Sequence, residues 1–348
     1  MPVLSNKIPV VSLFCGAGGL DLGFHQKGFE SIIAIDNDAS AIETFNANFA
    51  ARSAVQVDLR TLHTKTFLEL VAGVVSRTGK KPCGLIGGPP CQGVSNSNVD
   101  ADPADPRNSL MTTYLRLLNA LEETYEIDFF VFENVPGLLN EKNKARFLKL
   151  KRELSRRFHV TVQKVDAADF KVPQHRERVL ICGLNRKRFL APMGPLVANN
   201  AKKKTVRNTI GSLAEPIFFK RGLDSTSFPE HPNHWTMNPK SAKFAQLTVS
   251  VGRSFRKLVW DLPSRTVAYG HREIHVHPNG HRRLSIYEGM LLQGFPKSFA
   301  LKGTLSSQVQ QVSNAVPPPL AGSIAALVTE ALKTRSQSHK RQKTARTA

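Results

Sequence analysis

Short apolar runs alternate with longer amphipathic stretches through the first half of the chain. Amphipathic stretches with helical spacing of apolar residues cover Ala39–Phe49, Leu110–Tyr125 and Ala145–Phe158. The apolar runs are rich in Val, Ile and Phe: Val10–Cys15, Ser31–Asp36, Ala54–Asp58, Gly84–Gly88, Phe129–Glu133, Val160–Val165 and Val179–Leu184. Strands that alternate with helices of this length predict a parallel α/β sheet covered by helices on both faces.

The pattern changes after residue 185. Residues 186–265 are rich in Pro, Lys and Asn and have little regular period, which indicates a smaller, irregular β-rich domain of short strands and loops. Two helices are predicted beyond it, at Arg283–Gln293 and Leu320–Leu332. We therefore expect four segments: a first domain at 1–185, a second domain at 186–282, returning helices at 283–332 and a basic, disordered tail at 333–348.

Composition is that of a soluble globular protein, with 41% hydrophobic and 22% charged residues among 348. No apolar run approaches the roughly 20 residues that cross a bilayer, and Met1–Pro9 lacks the order of a secretory signal. A cytoplasmic location is expected. Four scattered cysteines form no C-x-x-C pair, and His231, His234 and the histidines of 271–281 lack further ligands, so no metal site is expected.

Charge is the most unusual property of the composition. The net charge of +21 favours a polyanionic partner, most simply double-stranded DNA. Residues 186–265 alone contribute 15 Lys and Arg against 4 Asp and Glu. Arg253, Arg256 and Lys257 are candidate contacts within this segment. The alternative is a solvated basic surface that binds nothing specific.

A glycine-rich turn, Phe14 to Asp21, follows the first predicted strand. Such a turn lets the backbone and helix N–H groups approach a ligand, and Asp36, twenty residues after Gly16, could hold a ribose. A dinucleotide fingerprint fails because Asp21 occupies the third glycine position. S-adenosylmethionine carries a cationic sulfonium, which tolerates an acidic lip at Asp21, and Asp58 could accept a hydrogen bond from adenine. The alternative is a tight structural turn.

A thiol, a carboxyl group and two guanidinium groups are predicted at neighbouring strand ends. Cys91 follows two prolines after the fourth strand, Glu133 ends the fifth, and Arg176 and Arg178 open the last. A thiol and an acid so placed suit addition to an electron-poor ring. The polar stretch from Gly93 to Asn108 could close over a substrate. Taken singly, each residue has an ordinary alternative: a buried thiol, a helix cap or surface arginines.

In this order the motifs resemble those of the DNA (cytosine-5)-methyltransferase family, in particular stand-alone prokaryotic modification methylases. The resemblance extends from about Val10 to Ala325. The matching segments are Leu13–Phe24, Asp36-Asn37, Asp58-Leu59, Gly88–Ser95, Phe132–Leu139, Gln174–Val179, Arg265–Val267 with Arg283–Pro296, and Gln311–Pro317.

The resemblance implies a Rossmann-like, S-adenosylmethionine-dependent catalytic domain with a small target-recognition domain, and base flipping. Cys91 would add to carbon 6 of cytosine, Glu133 would protonate nitrogen 3, and Arg178, beside Arg176, would hold the base's carbonyl oxygen. Asp36 and Asn37 depart from the Glu and large apolar residue of many members. The implied cofactor contacts are Phe14, Gly16, Ala17, Gly18, Gly19, Leu20, Asp36, Asn37, Asp58, Leu59, Pro89, Asn314, Ala315 and Val316.

The leading hypothesis is therefore methylation of cytosine carbon 5 within a short duplex DNA sequence. We expect a monomer, associated with the nucleoid and paired with a restriction endonuclease that acts on the same site. Methylation of tRNA by the same chemistry, a DNA-binding module without catalysis and an NAD-linked oxidoreductase are the alternatives.

Overall fold

The computed structural model describes residues 7–90, 110–199, 202–220, 222, 228, 230–237, 256–266 and 275–335. Cys91, the stretch from Gly93 to Asn108 and Arg253 lie outside the described residues, as does the tail after Arg335.

Seven strands form one central sheet, and every predicted strand is present in it. The strands are β1 (Ile8–Leu13), β2 (Phe29–Asp36), β3 (Ala54–Gln56), β4 (Gly84–Gly87), β5 (Phe129–Asn134), β6 (Phe158–Asp166) and β7 (Glu177–Asn185). Their order across the sheet is β3-β2-β1-β4-β5-β7-β6.

The expectation of a wholly parallel sheet was wrong at β7. This strand runs antiparallel to both of its neighbours, β5 and β6. Only residues 167–176 separate β6 from β7, fewer than the dozen or so that a parallel crossover requires. As a result, the start of β7 lies beside the carboxyl end of β5, where Asn134 pairs with Val179. In a parallel arrangement, the start of β7, and Arg178 with it, would lie at the amino ends of the strands instead.

Nine helices are found in the described part of the chain. They are α1 (Gly19–His25), α2 (Ala39–Asn48), α3 (Thr64–Thr78), α4 (Leu110–Tyr125), α5 (Lys144–Ser155), α6 (Val206–Ile210), α7 (Ile286–Leu292), α8 (Leu305–Asn314) and α9 (Pro318–Lys333). The helix expected from Arg283 begins three residues later, because Ser285 caps it and forms a reciprocal capping box with Glu288. Helix α8 was not predicted from the sequence. Most of its residues are polar, so only a few apolar residues, among them Val309 and Val312, indicate its helical period.

Both faces of the sheet are covered, as the sequence predicted. On one face, side chains of α3, α4 and α5 pack with Leu13 and Leu85. On the other face, α1 and α9 pack with Val10 and Ile86. Adjacent residues of β4 thus enter opposite cores, since successive side chains of a strand point to opposite faces.

The region after β7 contains only short strands among its described residues. Strand β8 (Ile217–Phe218) pairs with β9 (Trp235–Thr236), and β10 (Arg256–Lys257) pairs with β11 (His275–Val276). Trp235 and Leu258 share a core with Met290 of α7. The short strands agree with the predicted irregular β-rich region, while the boundaries at 185/186 and 282/283 stay predictions.

Two of the histidines in this region serve as packing and hydrogen-bonding groups. The buried His234 ring contacts the Ser285 hydroxyl at 2.9 Å and the Ala214 carbonyl at 2.8 Å. His231 stacks on Tyr287 with ring centroids 4.1 Å apart. Within the described ranges, no group of three His, Cys, Asp or Glu side chains is arranged to hold a metal ion.

One stretch of the described chain, Leu305–Lys333, is long and apolar enough to span a membrane by composition alone. It comprises α8 and α9, and 56% of its most apolar window is buried inside the protein.

Helices α1 and α9 approach each other at glycine. A Cβ atom added to Gly23 would lie 2.4 Å from the Gly322 nitrogen and 2.5 Å from the Pro318 oxygen. Backbone atoms cannot yield as a flexible side chain can. The α1–α9 contact therefore requires glycine at position 23.

We predict that Gly23→Ala lowers the free energy of unfolding by about 2 kcal/mol, because overpacking of this contact separates the two helices. Urea denaturation measures the change. Gly73→Ala is the matched control, since Gly73 is an exposed position of α3 where an added Cβ meets nothing within 4 Å. That variant should be stabilised by about 0.5–1 kcal/mol. Equal urea midpoints for Gly23→Ala and the wild type would contradict the close-packing argument.

Candidate active site

The turn after β1 is held in a conformation that favours glycine. Phe14, Gly16 and Gly18 all have positive φ, at 56°, 51° and 88°. At Gly18 an added Cβ would lie 2.6 Å from the Phe49 ring, so the position excludes any side chain. Around Gly16, in contrast, an added Cβ would meet nothing within 4 Å. The backbone around Gly16 therefore has free space beside it that a ligand could occupy.

Asp36, at the end of β2, faces this turn. One carboxylate oxygen accepts the Gly16 N–H at 2.9 Å and the other accepts the Asp38 N–H at 3.0 Å. Burial raises the pKa of Asp36, and the hydrogen bonds from Asp38 and Gly16 oppose that shift. Each oxygen keeps a second lone pair for a ribose hydroxyl. Asn37, the next residue, is exposed.

The carboxylate of Asp58 already has a partner. Arg60 donates from Nε at 3.0 Å and from Nη2 at 2.6 Å, and this contact lowers the pKa of Asp58. An adenine amino group would therefore share the carboxylate with Arg60, a residue that the sequence reasoning missed. The adjacent Leu59 is buried.

Asp21 does not form an acidic lip, and that expectation was wrong. Its side chain is 1% exposed and accepts the Ser31 hydroxyl at 2.6 Å. Burial raises its pKa to about 6. Asp21 is the third residue of α1, and its side chain points toward β2. Its hydrogen bond to Ser31 therefore joins the start of α1 to β2.

The segment between α8 and α9 lies against the beginning of α1 and, with the turn at Gly16 and Asp36, bounds the candidate cofactor pocket. A Cβ added to Gly19 would lie 2.4 Å from the Val316 oxygen and 3.3 Å from the Ala315 side chain. Ala315 and Val316 are buried, whereas Asn314 is exposed. Residues nearly 300 positions apart in sequence therefore meet at the beginning of α1, as the resemblance implied. Ala17 and Leu20, also implied contacts, are buried in the same turn.

Beside this pocket, Glu133 and Arg178 form a buried ion pair. Glu133 Oε1 lies 2.7 Å from Arg178 Nε, and the two side chains are 10% and 11% exposed. Burial lowers the pKa of Arg178, while Glu133 acts in the opposite direction. The antiparallel course of β7 brings the arginine to the carboxyl end of β5.

The exit of β4 passes directly against the same carboxylate. A Cβ on Gly88 would lie 2.9 Å from Glu133 Oε2, and Asn134 Nδ2 donates to the Pro89 carbonyl at 3.2 Å. The chain is thus fixed next to Glu133 three residues before Cys91. Gly88 is a further contributor that the sequence reasoning did not assign.

Arg176 is buried more deeply than Arg178. It is 2% exposed, and its Nη2 donates to the Ser313 carbonyl at 2.7 Å. Burial lowers its pKa well below the ordinary value, and the repulsion of Arg178 adds to the shift. Arg176 therefore connects the ion pair to the last turn of α8, immediately before Asn314.

The other three cysteines are poor nucleophiles. Burial raises the pKa of the Cys15, Cys83 and Cys182 thiols, that of Cys182 to about 12. Because the thiolate is the reactive form, these groups are inert near neutral pH. Cys182 is buried, and Cys83 is partly buried.

Comparison with known proteins agrees with this geometry. A family model described as C-5 cytosine-specific DNA methylase matches residues 8–330. Type II methyltransferase M.FnuDI of Fusobacterium nucleatum is 30% identical, over 96% of this chain and 98% of its own length. Type II methyltransferase M.MthTI of Methanothermobacter thermautotrophicus is also 30% identical, over 92% of this chain and 96% of its own.

Solved structures share the fold. A crystal structure described as a DNA modification methyltransferase encoded within an E. coli prophage matches with a TM-score of 0.74 at 23% identity, over 94% of this chain and 100% of that one. S. pombe Dnmt2 methyltransferase matches with a TM-score of 0.65 at 16% identity, over 94% and 100%. The architecture is thus the expected Rossmann-like one.

The pocket suits the cofactor of such enzymes. The carboxylate of Asp36 is oriented toward the turn by two N–H groups, and the backbone around Gly16 leaves room for a ligand. With the match over residues 8–330, the chain belongs to the C-5 cytosine-specific DNA methylase family and is an S-adenosylmethionine-dependent DNA (cytosine-5)-methyltransferase.

Proposed function

We propose that this protein methylates one cytosine within a specific short duplex DNA sequence, through a covalent adduct of Cys91 with carbon 6. The buried Glu133–Arg178 pair carries the proposal. It presents an acid and a hydrogen-bond donor at one point, and Gly88 leads the chain toward Cys91 against that acid.

In the proposed mechanism each residue acts on a different atom of the flipped cytosine. The Cys91 thiolate forms a bond to carbon 6, and Glu133 donates a proton to nitrogen 3, so that the electron pair moves to carbon 5. Arg178 holds the carbonyl oxygen of the base. S-adenosylmethionine supplies the methyl group that carbon 5 takes up. Loss of the carbon-5 proton to water, with return of the nitrogen-3 proton to Glu133, then expels the thiolate and restores the aromatic ring.

Arg178 also fixes the position of the acid. Its Nε contact restrains Glu133, and the remaining nitrogens of a guanidinium group can donate to a carbonyl oxygen. Removal of one member of a buried ion pair leaves the other charge uncompensated, which costs about 3–5 kcal/mol. Glu133 and Arg178 are therefore expected to act as one unit.

We assign sequence recognition to the basic residues 186–265. Arg256 is half-buried and Lys257 is exposed, so both have side-chain atoms that DNA could reach. Arginine and lysine hold phosphates and read guanine in the major groove. The protein is proposed to act as a monomer at the nucleoid, in a restriction-modification system whose endonuclease cuts the same sequence.

Methyl incorporation from labelled S-adenosylmethionine tests this function against its alternatives. Duplex DNA should be labelled and tRNA should not. Labelled tRNA together with unlabelled DNA would instead support methylation of tRNA. Tight DNA binding without label in either substrate would support a module that lacks catalysis.

Replacement of the proposed nucleophile should abolish catalysis but not cofactor binding. We predict that Cys91→Ser reduces methyl incorporation to background, because a serine hydroxyl is not ionised near neutral pH, while the affinity for S-adenosylhomocysteine stays near the wild-type value. Filter-binding assays and calorimetry measure the two quantities. Cys83→Ser serves as the matched control and should remain active. Appreciable turnover by Cys91→Ser would refute the covalent mechanism.

DNA that carries 5-fluorocytosine at the target should trap the enzyme. The adduct cannot lose fluorine as it would lose the carbon-5 proton, so the thioether bond to carbon 6 persists. Mass spectrometry of the digested complex should locate the nucleotide on Cys91. Its location on Cys15, Cys83 or Cys182 would overturn the assignment.

Binding to DNA should weaken steeply as salt increases. Each neutralised phosphate contributes about −0.9 to the slope of log K against log salt concentration on duplex DNA. Arg256→Ala and Lys257→Ala should each make this slope shallower by about 1. Lys80→Ala is the control, since Lys80 pairs with Glu30 at the opposite edge of the sheet. A salt-independent affinity in the wild type would contradict recognition through the basic segment.

A further inference from the structure

Two glutamine side chains form a fully buried amide pair next to the active site. Gln174, before β7, and Gln293, which caps the end of α7, are both 0% exposed. Gln174 Nε2 donates to Gln293 Oε1 at 2.9 Å and to the Leu292 carbonyl at 3.2 Å. A buried amide that lost its hydrogen bond would incur a desolvation cost, so the pair holds a specific geometry.

The other side of Gln293 faces the end of α8. Its Nε2 donates to the carbonyls of Val312, at 2.7 Å, and of Ala315, at 3.3 Å. Since two carbonyl oxygens face this nitrogen, the orientation of the amide is unambiguous. The Gln293 oxygen is therefore the atom that faces Gln174.

Arg176 adds a second cap to the same helix end. The last four carbonyls of a helix have no partner within the helix, and cations are favoured there. Gln293 satisfies Val312, and Arg176 satisfies Ser313. Both side chains hold α8 directly before Asn314, the first of the implied cofactor contacts in this segment.

On its other side, the backbone around Gln174 joins the recognition region. Gln174 forms a parallel bridge with Ser264. The His175 N–H donates to the Ser264 carbonyl at 2.8 Å, and the Ser264 N–H donates to the Pro173 carbonyl at 2.9 Å. The Thr266 hydroxyl donates to the His175 carbonyl at 2.7 Å. Ser264 and Thr266 therefore anchor the predicted recognition region, residues 186–282, to residues 173–175, which include Gln174 of the amide pair.

We propose that Gln174 and Gln293 are positioning residues that couple cofactor binding at Asn314–Val316 to the recognition anchor at Ser264–Thr266. Occupation of the cofactor pocket fixes the end of α8, Gln293 transmits this restraint to Gln174, and Gln174 transmits it to Ser264. The coupling rests on the proposed cofactor contacts. It makes the recognition region more ordered when the enzyme carries its methyl donor.

Amide hydrogen exchange of the full chain, with and without S-adenosylhomocysteine, tests the coupling without any catalytic turnover. In the wild type, the ligand should slow exchange of the His175 and Ser264 amides by about tenfold, within the usual range of coupling between sites. Protection at 14–20 and at 314–316 reports the cofactor pocket itself.

Two substitutions separate the links of this chain of contacts. Gln293→Met removes the cap from α8, so the affinity for S-adenosylhomocysteine, measured by calorimetry, should fall about tenfold. Protection of His175 and Ser264 should disappear. Gln174→Met leaves the cap in place, so the affinity should stay near the wild-type value while the protection of Ser264 is lost.

Gln311→Met is the matched control. Gln311 is also buried in α8, but it accepts from Thr44 of α2 and donates to the Lys302 carbonyl, away from the amide pair. It should lose stability and keep the ligand-dependent protection of Ser264. Wild-type protection at Ser264 in Gln174→Met would overturn the proposal. Protection at 14–20 and 314–316 without any at His175 and Ser264 in the wild type would overturn it as well, yet leave the cofactor site intact. An absence of ligand protection at both 14–20 and 314–316 would overturn the proposed cofactor contacts and, with them, the coupling.

Discussion

The ion pair between Glu133 and Arg178 is the interaction around which the candidate active site is built. Desolvation of two charges is costly, and a buried pair is often no more stable than apolar residues of the same volume. Its value here is therefore positional. It fixes a carboxyl group and a guanidinium group together at one end of the sheet, where we propose that both contact the target base.

Three features of the fold fix the pair and its surroundings. Strand β7 is antiparallel, so its first residues lie at the carboxyl end of β5. Gly88 has no side chain, which lets the chain pass against Glu133 on its way to Cys91. Arg176 ties the same point to the end of α8.

The candidate cofactor pocket depends on the return of the chain at α8 and α9. Helix α9 packs on α1 through Gly23, and the segment before α9 contacts Gly19. Both contacts join residues from the first thirty positions of the chain to residues beyond position 310. The residues between β7 and α7 are thus inserted between two parts of the chain that pack together, and Ser264, one of these residues, lies close to the amide pair of Gln174 and Gln293.

Much of this could be predicted from the sequence, because buried strands and Gly-rich turns have local signatures. All seven strands and the amphipathic helices α2, α4 and α5 were found in this way. The direction of β7 was not, since the periodicity of a strand is the same in either direction. The burial of Asp21 and the pairing of Asp58 with Arg60 also escaped, because side-chain partners depend on tertiary packing. The roles of Cys91, Glu133 and Arg178 came from the resemblance, and all three roles stay proposals.

We propose that this protein methylates cytosine within one short DNA sequence. Bisulfite sequencing of plasmid DNA from cells that express it measures this directly, since 5-methylcytosine resists conversion. We expect unconverted cytosine at one position of a single short, recurrent duplex sequence and conversion elsewhere. Complete conversion of every cytosine, in cells that contain the soluble protein and intact S-adenosylmethionine supply, would contradict it.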